Sequence, residues 1–540
     1  MNGREMAIQV RGSEPPGLLR SAGVTLPLLV LLALAIRVWC FVGYQGHDDR
    51  SYIAFAWMFA HGGDFVSRQI ADPWTGRLFA WLPMSIYVRL FGGGEWVLAL
   101  NSLGASLASV VIVYLLARRF YGERAGVLAG LLMAALPIDV LYGTRAFGDQ
   151  ATGTLCAAAL AGWLMMLEDR PRGWAFATGL VWGLAYLSKE TAVLMAVPFA
   201  LILWQRGVVP VRELAWVAAG LALIVGFELL FWAVNTGDPL YRWHATLGSR
   251  ESFVPPPRTI GSWTDWIPSP IPAEVMRSEN TLLDALFMLT TNEEWGLLFY
   301  FALPLGLWAL FRGDAVTRAV ATFLLAMALL LLFLPLHFPN YTLGRDPRHF
   351  TALGVPAVLL VASWIARQAR PIRLVVAAAF AASWTLCLSV GAISSDISTQ
   401  RAFAQFVAAD PGTRVWTNNI MASDVVVLSG FDPGVRLGVV KFEGGRVVNA
   451  DSYRLSNPMR AMRPDVPVAT RVSELAGQLV ALPPHVAPGN GWVLEREFVP
   501  RSSPTAAAIR GALTALGVPA LLVGKIAPSQ GARILLYRAI

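Results

Sequence analysis

The stretch LPLLVLLALAIRVWCFVGYQGHDDRSYIAFAW, residues 26–57, joins a long apolar run to two adjacent carboxylates, Asp48 and Asp49. About 20 mostly apolar residues suffice to cross a bilayer as a helix, so residues 24–45 read as a first span. The two acids then stand where the chain leaves the lipid, a depth at which unpaired charge is expensive. What they do there depends on which other residues reach the same face.

The rest of the chain repeats this pattern. Of its 540 residues 56% are hydrophobic and only 14% charged, with a mean hydropathy of +0.54, the balance of a polytopic membrane protein rather than a soluble core. The net charge of +8 comes from arginines spread in small groups between apolar runs, with no basic stripe, so no nucleic-acid partner is expected. Cys40, Cys156 and Cys387 each lie inside an apolar run, which argues against a disulfide framework or a metal cluster. Residues 1–23 are polar and basic. The run after them is too long for a signal-peptide core and has no small-residue cleavage site, so it reads as an uncleaved span behind a cytoplasmic segment.

Further runs near 96–117, 125–143, 150–167, 214–234, 295–311, 317–337, 350–366 and 373–393 meet or approach the length rule. Two shorter runs, 174–188 and 191–205, abut at LSKET and read as a tight hairpin, for roughly 11 crossings. Alternate loops are basic: Arg118, Arg119 and Arg124; Arg170 and Arg172; Arg206 and Arg212; Arg312 and Arg318; Arg367, Arg370 and Arg373. The positive-inside rule puts these loops and the N terminus in the cytoplasm, and an odd number of crossings puts the chain beyond 394 outside it. That part is richer in turn residues and reads as a soluble α/β domain. STQRAFAQFVAAD and SPTAAAIRGALTALG are expected as helices starting at Ser, and TRVWT, ALLVGKI and ARILLYRA as strands. GFDPGVRLG does not fit a nucleotide-binding fingerprint. The expected fold is a polytopic α-helical membrane domain of about 11 transmembrane helices over 24–393, followed by an extracytoplasmic α/β domain over 394–540.

The unusual charges gather on the outer face. The first outer loop carries Asp48, Asp49, Arg50, Asp64, Arg68, Asp72 and Arg77, then an apolar stretch at 78–91 too short to span and read as an interfacial helix. The next outer segments hold Arg145 and Asp149 in YGTRAFGDQ, and Lys189 and Glu190 in LSKET. A long loop, roughly 235–294, is rich in aromatics and prolines, and LHFPNYTLGRDPRHF carries His337, Arg345, Asp346, Arg348 and His349. Any one of these charges reads equally well as a hydrated loop residue. Asp48, Asp49, Asp149, Lys189 and Arg348 fit that reading less well because they adjoin apolar sequence.

HDDRSYIAFAWMFAHGGDF resembles the first outer loop of the lipid-dependent membrane glycosyltransferases of the GT-C superfamily, in particular the protein-mannosyltransferase and aminoarabinose-transferase group. The matching positions are Asp48, Asp49, Tyr52, Gly63 and Asp64. TRAFGDQATGTLCAAAL, GLAYLSKETAVLMAVPF and GRDPRHFTALGVPAVLLVASW are similar to later segments of that group, in the same order. The resemblance spans roughly 24–366. The chain differs from the aminoarabinose branch in having FAWLPMSIY where that branch has a Lys before paired prolines, and His349 and Phe350 where a Tyr usually follows the Arg.

The resemblance implies transfer of a sugar from a polyprenyl-phosphate carrier to an acceptor hydroxyl of a glycan, lipid or protein, at the outer side of the membrane, and the short connecting loops with the uncleaved N-terminal span point to a bacterial inner membrane. It implies Asp48 as general base, with Asp49 orienting a loop or pairing with Arg50 or Arg145. Asp149 would position sugar or acceptor, while Arg345, Arg348 and Lys189 are candidates for the carrier phosphate. Tyr52, Arg145, Glu190 and His349 complete the candidate substrate-binding set. Trp243, Trp263 and Trp266 read either as sugar-stacking surfaces or as interfacial anchors. No resident cofactor is expected. His47, Asp48, Asp49, His61 and Asp64 fit no recognised metal spacing, although the oligosaccharyl branch of the superfamily uses a metal. Two other readings stay open: a lipid transporter with Glu228 as a buried acid, and a non-catalytic glycan-binding component.

Overall fold

The computed structural model describes residues 17–46, 48–63, 74–169, 172–207, 210–252, 289–290, 292, 294–333, 335–337, 341–342, 347–443 and 446–448, and parts of 459–540. The predicted Asp64, Arg68, Asp72, Trp263, Trp266, Arg345 and Asp346, with His47, lie outside the described residues.

Helices occupy the predicted apolar runs. The first are α1 (Gly17–Trp39), α2 (Asp48–Ala60), α3 (Leu78–Phe91), α4 (Glu95–Tyr121), α5 (Glu123–Ala135), α6 (Pro137–Tyr142) and α7 (Gly148–Asp169). α8 (Arg172–Ser188) leads through a 3-10 turn, Glu190–Met195, into α9 (Ala196–Arg206). After α10 (Val211–Thr236) and α11 (Tyr241–Ser252) come α12 (Leu298–Arg312), α13 (Ala315–Phe333), α14 (Gly354–Arg367) and α15 (Arg370–Ser394). Among the described residues six helices are long and apolar enough to cross a membrane.

Two predicted runs are interrupted. Pro137 has no N–H to continue α5 and starts α6 instead. The run at 317–337 stops being helical at Phe333, and Pro335–His337 (β1) pairs antiparallel with Tyr341–Thr342 (β2). The bundle is drawn tight where glycines face backbone. A Cβ on Gly179 would stand 2.0 Å from the Val217 carbonyl oxygen, and one on Gly220 2.3 Å from that of Phe176. α8 and α10 therefore pack at a separation only small residues permit.

Beyond α15 come α16 (Ser398–Ala409) and α17 (Asn419–Leu428), with a five-stranded sheet. Its strands are β3 (Val415–Thr417), β4 (Leu437–Val439), β7 (Leu479–Leu482), β8 (Trp492–Phe498) and β9 (Ile534–Ala539), while β5 (Lys441–Glu443) and β6 (Arg446–Val448) form a separate hairpin. The order is β4-β3-β7-β9-β8, parallel across the first three and antiparallel across the last three. TRVWT and ARILLYRA are strands as expected, but in ALLVGKI the described Ala520 and Val523 are helical. A short apolar run carries too little periodicity to separate the two states.

This C-terminal part is bolted to the site end of the bundle. Arg401 holds Glu95 at 3.0 Å and donates to the Val42 carbonyl at 2.7 Å. Arg50 pairs with Asp424 at 3.0 Å, and the Tyr44 hydroxyl donates to the same carboxylate at 2.7 Å. Phe431, held at a φ of +64° that costs a non-glycine residue energy, stacks on Trp57 of α2 with centroids 3.7 Å apart.

Candidate active site

Asp48 and Asp49 form the first turn of α2. The unsatisfied N–H groups of a helix start favour negative charge, so local structure alone accommodates both acids. Their side chains then diverge. Asp49 is fully buried; it accepts from the Gln45 backbone N–H at 2.9 Å and lies 3.8 Å from Arg145. Of the two partners expected for it, Arg145 is the one found, because Arg50 is drawn away to Asp424. Asp48 keeps 24% of its side chain exposed and pairs with Arg348 at 2.8 Å.

Arg348 and His349 come from a 3-10 segment, Pro347–Leu353, laid against α7. The approach depends on Gly153, where a Cβ would stand 2.8 Å from that of Thr351. The Thr351 hydroxyl donates to the Asp149 carbonyl at 2.8 Å and fixes the same contact from the other side. Asp149 thus meets Lys189 in a buried ion pair, and the Lys189 ammonium also reaches Nδ1 of His349 at 2.6 Å. An ammonium can only donate, so His349 accepts there and carries its ring proton on Nε2. Burial draws the pKa of Lys189 down, with the Asp149 charge opposing it.

A second network adjoins the first. Arg77 donates to the Tyr52 hydroxyl at 2.8 Å and to Glu190 at 3.2 Å. Arg242 holds Glu190 at 3.2 Å and Glu228 at 2.9 Å, and donates to the Tyr186 carbonyl at 2.8 Å. Gly76 makes room for it: a Cβ there would stand 2.5 Å from Cγ of Arg242. Glu228 therefore belongs to an ion-pair chain leading to the site, which accounts for a buried acid without a transport role. Arg77 was visible only as a loop charge and Arg242 not at all; both gain meaning from Glu190, 113 positions from Arg77 and likewise distant in sequence from Arg242. Phe147 was also missed. Its ring centroid lies 4.9 Å from the guanidinium carbons of both Arg145 and Arg348, so one aromatic ring steadies two cations.

Glu190 gives this network a pH signature. Burial alone would raise its carboxyl, but Arg77 and Arg242 hold it at about 2, below the ordinary 4.5. A folded pKa below the unfolded one contributes stability that is complete above the unfolded value and is lost as pH falls toward the folded one. Glu190→Gln is therefore expected to lower the unfolding midpoint at neutral pH, with the gap to the parent closing as pH drops below 4.5. A gap independent of pH would mean that the carboxylate charge does not carry the effect.

A small cavity of about 10 Å³ between α7, the 3-10 turn Glu190–Met195, α13 and the 3-10 segment Pro347–Leu353 is lined by the charged or polar Asp149, Lys189, Arg348 and His349 and by the apolar Ala192, Met327 and Leu331. His61, at the end of α2, contacts the Trp57 carbonyl at 2.8 Å. Among the described residues no three His, Cys, Asp or Glu side chains gather as metal ligands would. Trp243 is half exposed and lies 6.4 Å from the Tyr186 ring.

Residues 76–232, from Arg77 through Glu228, match the family described as dolichyl-phosphate-mannose-protein mannosyltransferase. ArnT from Cupriavidus metallidurans bound to undecaprenyl phosphate superposes over 96% of this chain and 98% of its own, with a TM-score of 0.59 at 13% identity. The fold is that of a GT-C glycosyltransferase. A second GT-C structure, the Archaeoglobus fulgidus oligosaccharyltransferase in complex with zinc and sulfate, aligns over 85% of this chain and 67% of its own, with a TM-score of 0.51 at 16% identity. The archaeal AglB complex with an inhibitory peptide and a dolichol-phosphate gives 0.50 at 15% identity over 86% and 70%. No curated protein sequence matches the chain.

Proposed function

We propose that this protein is an inverting glycosyltransferase that moves a sugar from a polyprenyl-phosphate donor to an acceptor hydroxyl at the outer face of a bacterial inner membrane. On this reading the chain crosses the membrane about 11 times, with the N terminus cytoplasmic and the part beyond 394 periplasmic. The observation that carries the reading is the clustering of Lys189, Arg348 and His349 with the apolar Met327 and Leu331 around a narrow cleft of about 10 Å³. Cations beside apolar side chains suit a phosphate attached to an apolar chain, and the cleft has to widen to admit it. A partly exposed carboxylate, Asp48, stands beside it on Arg348.

In the proposed reaction the acceptor oxygen attacks C1 of the sugar and the bond from C1 to the phosphate oxygen breaks. Polyprenyl phosphate leaves with the electron pair, and the acceptor proton passes to Asp48. Arg348 offers a planar fork to phosphate oxygens and Lys189 a compact charge. Arg145 and Arg77 add to the positive field while Asp49, Glu190 and Tyr52 fix their positions. Asp149 orients Lys189 and, through it, His349. The acceptor is a lipid glycan, a polysaccharide or a protein hydroxyl.

The test is mass spectrometry of a mixed pool of polyprenyl-phosphate sugars incubated with the purified protein and crude acceptor extract. Consumption of one species, with matching release of free polyprenyl phosphate, is expected. If no species is consumed and none binds, the transferase reading falls.

A further inference from the structure

At the end of the bundle away from Asp149 and Lys189, the last turns of α7 and α9 and the first turn of α13 enclose a second cavity of about 340 Å³. Leu167, Ile202 and Ala319 form its apolar wall, and Gln205, Arg206 and Arg318 its polar one. From Asp149 to Glu168, α7 rises about 30 Å, the thickness of a hydrocarbon core. The cavity therefore sits at headgroup depth in the leaflet opposite the site. Trp204 and Phe311, 80% and 79% exposed, lie near the corresponding ends of α9 and α12, as aromatics do at a membrane boundary.

The two arginines are unusual. Nε and Nη2 of Arg206 and Nε of Arg318 are shielded from solvent, yet meet no acceptor among the described residues. Arg318 uses Nη2 on the Gly313 carbonyl at 3.1 Å. The possible local acceptors are engaged elsewhere: Oε1 of Gln205 accepts from the Thr322 hydroxyl at 2.9 Å, and Oδ1 of Asp314 accepts the Thr317 N–H at 2.8 Å. Glu168 supplies an attractive charge to Arg206, but those buried N–H groups of the two arginines stay without acceptors among the described residues. Shielded guanidinium N–H groups without acceptors are costly at the edge of a membrane. A phosphate supplies acceptor oxygens in the planar arrangement that guanidinium groups match.

We propose that this cavity binds the phosphate of an anionic phospholipid from the leaflet opposite the active site, with Arg206 and Arg318 on the phosphate and Leu167 and Ile202 against the first carbons of the acyl chains. The apolar wall favours a lipid over a soluble anion, because a free phosphate gains nothing from it. The assignment is independent of the proposed transferase activity.

Native mass spectrometry of the detergent-solubilised full chain, titrated with phosphatidylglycerol and with phosphatidylcholine, tests it. The tightest equivalent of phosphatidylglycerol is expected to bind in preference to phosphatidylcholine and to weaken about fivefold for each of Arg206→Gln and Arg318→Gln. Inorganic phosphate at equal concentration is expected not to displace it. Unchanged phosphatidylglycerol affinity in the folded double variant overturns the proposal, and displacement by inorganic phosphate overturns the lipid as the source. If the double Gln variant fails to fold, Arg206→Lys with Arg318→Lys keeps both charges and loses both forks; affinity equal to the parent then overturns it.

Discussion

Asp48→Asn is expected to slow sugar transfer by about 10²–10⁴-fold, the usual worth of a general base, while the protein stays folded and still binds its donor. Asp48 is the carboxylate of the α2 pair that solvent and substrate can reach, and its partner Arg348 remains braced by the Phe147 ring when the charge is removed. With Asp48 neutral, Arg348 loses one of the anions that compete with a donor phosphate, Asp149 remaining near it, so donor affinity should hold or rise. Asp49→Asn should behave differently: its carboxylate is buried on Arg145 and the Gln45 N–H, so the loss appears first as instability. Single-turnover release of polyprenyl phosphate, measured beside donor binding, separates the two. Full transfer by Asp48→Asn removes it from the chemistry, and lost binding with unchanged turnover of bound donor makes it a binding group.

Lys189→Met should be the most damaging change to stability, at about 3–5 kcal/mol, because it strands Asp149 as a buried charge. Both side chains are nearly inaccessible, at 5% and 3% exposure. Arg348 still attracts Asp149, which favours the lower end of the range. Lys189→Met with Asp149→Asn should recover most of the lost stability, since no charge is then left unpaired. It should not recover donor binding, because the ammonium is still missing. Chemical unfolding of the two variants decides this: a single variant as stable as the parent would mean that the pair contributes nothing.

Much of this site was legible in the sequence. Asp48, Asp49 and Tyr52 share little more than one helical turn, and Lys189 stood out in a chain with 3 lysines. What could not be read was pairing. Arg50 neighbours Asp49 in sequence but pairs with Asp424, 374 positions away, and nothing local encodes that distance. Arg242 was overlooked because its loop drew attention through its tryptophans. Arg37 carried a usable signal, a charge in the middle of an apolar run. It is buried against Asp139, with further bonds to the Ala33 and Ala134 carbonyls at 2.9 and 3.0 Å. The division of 317–337 into helix and hairpin was likewise foreshadowed by Pro335 and Pro339, whose missing N–H groups a length rule ignores.

The stacked pair of Trp57 and Phe431, with Asp424 gripping Arg50, ties the helix bearing Asp48 and Asp49 to the last third of the chain. Recombination between relatives is constrained accordingly. A chimera that takes its C-terminal domain from another protein inherits a foreign surface under α2, and carries over a working acid pair only if that surface supplies an anion for Arg50 and a ring for Trp57. Crossovers placed after α15 should thus yield folded but silent hybrids unless these partners travel together, so the joint after α15 is a poor place to divide the molecule.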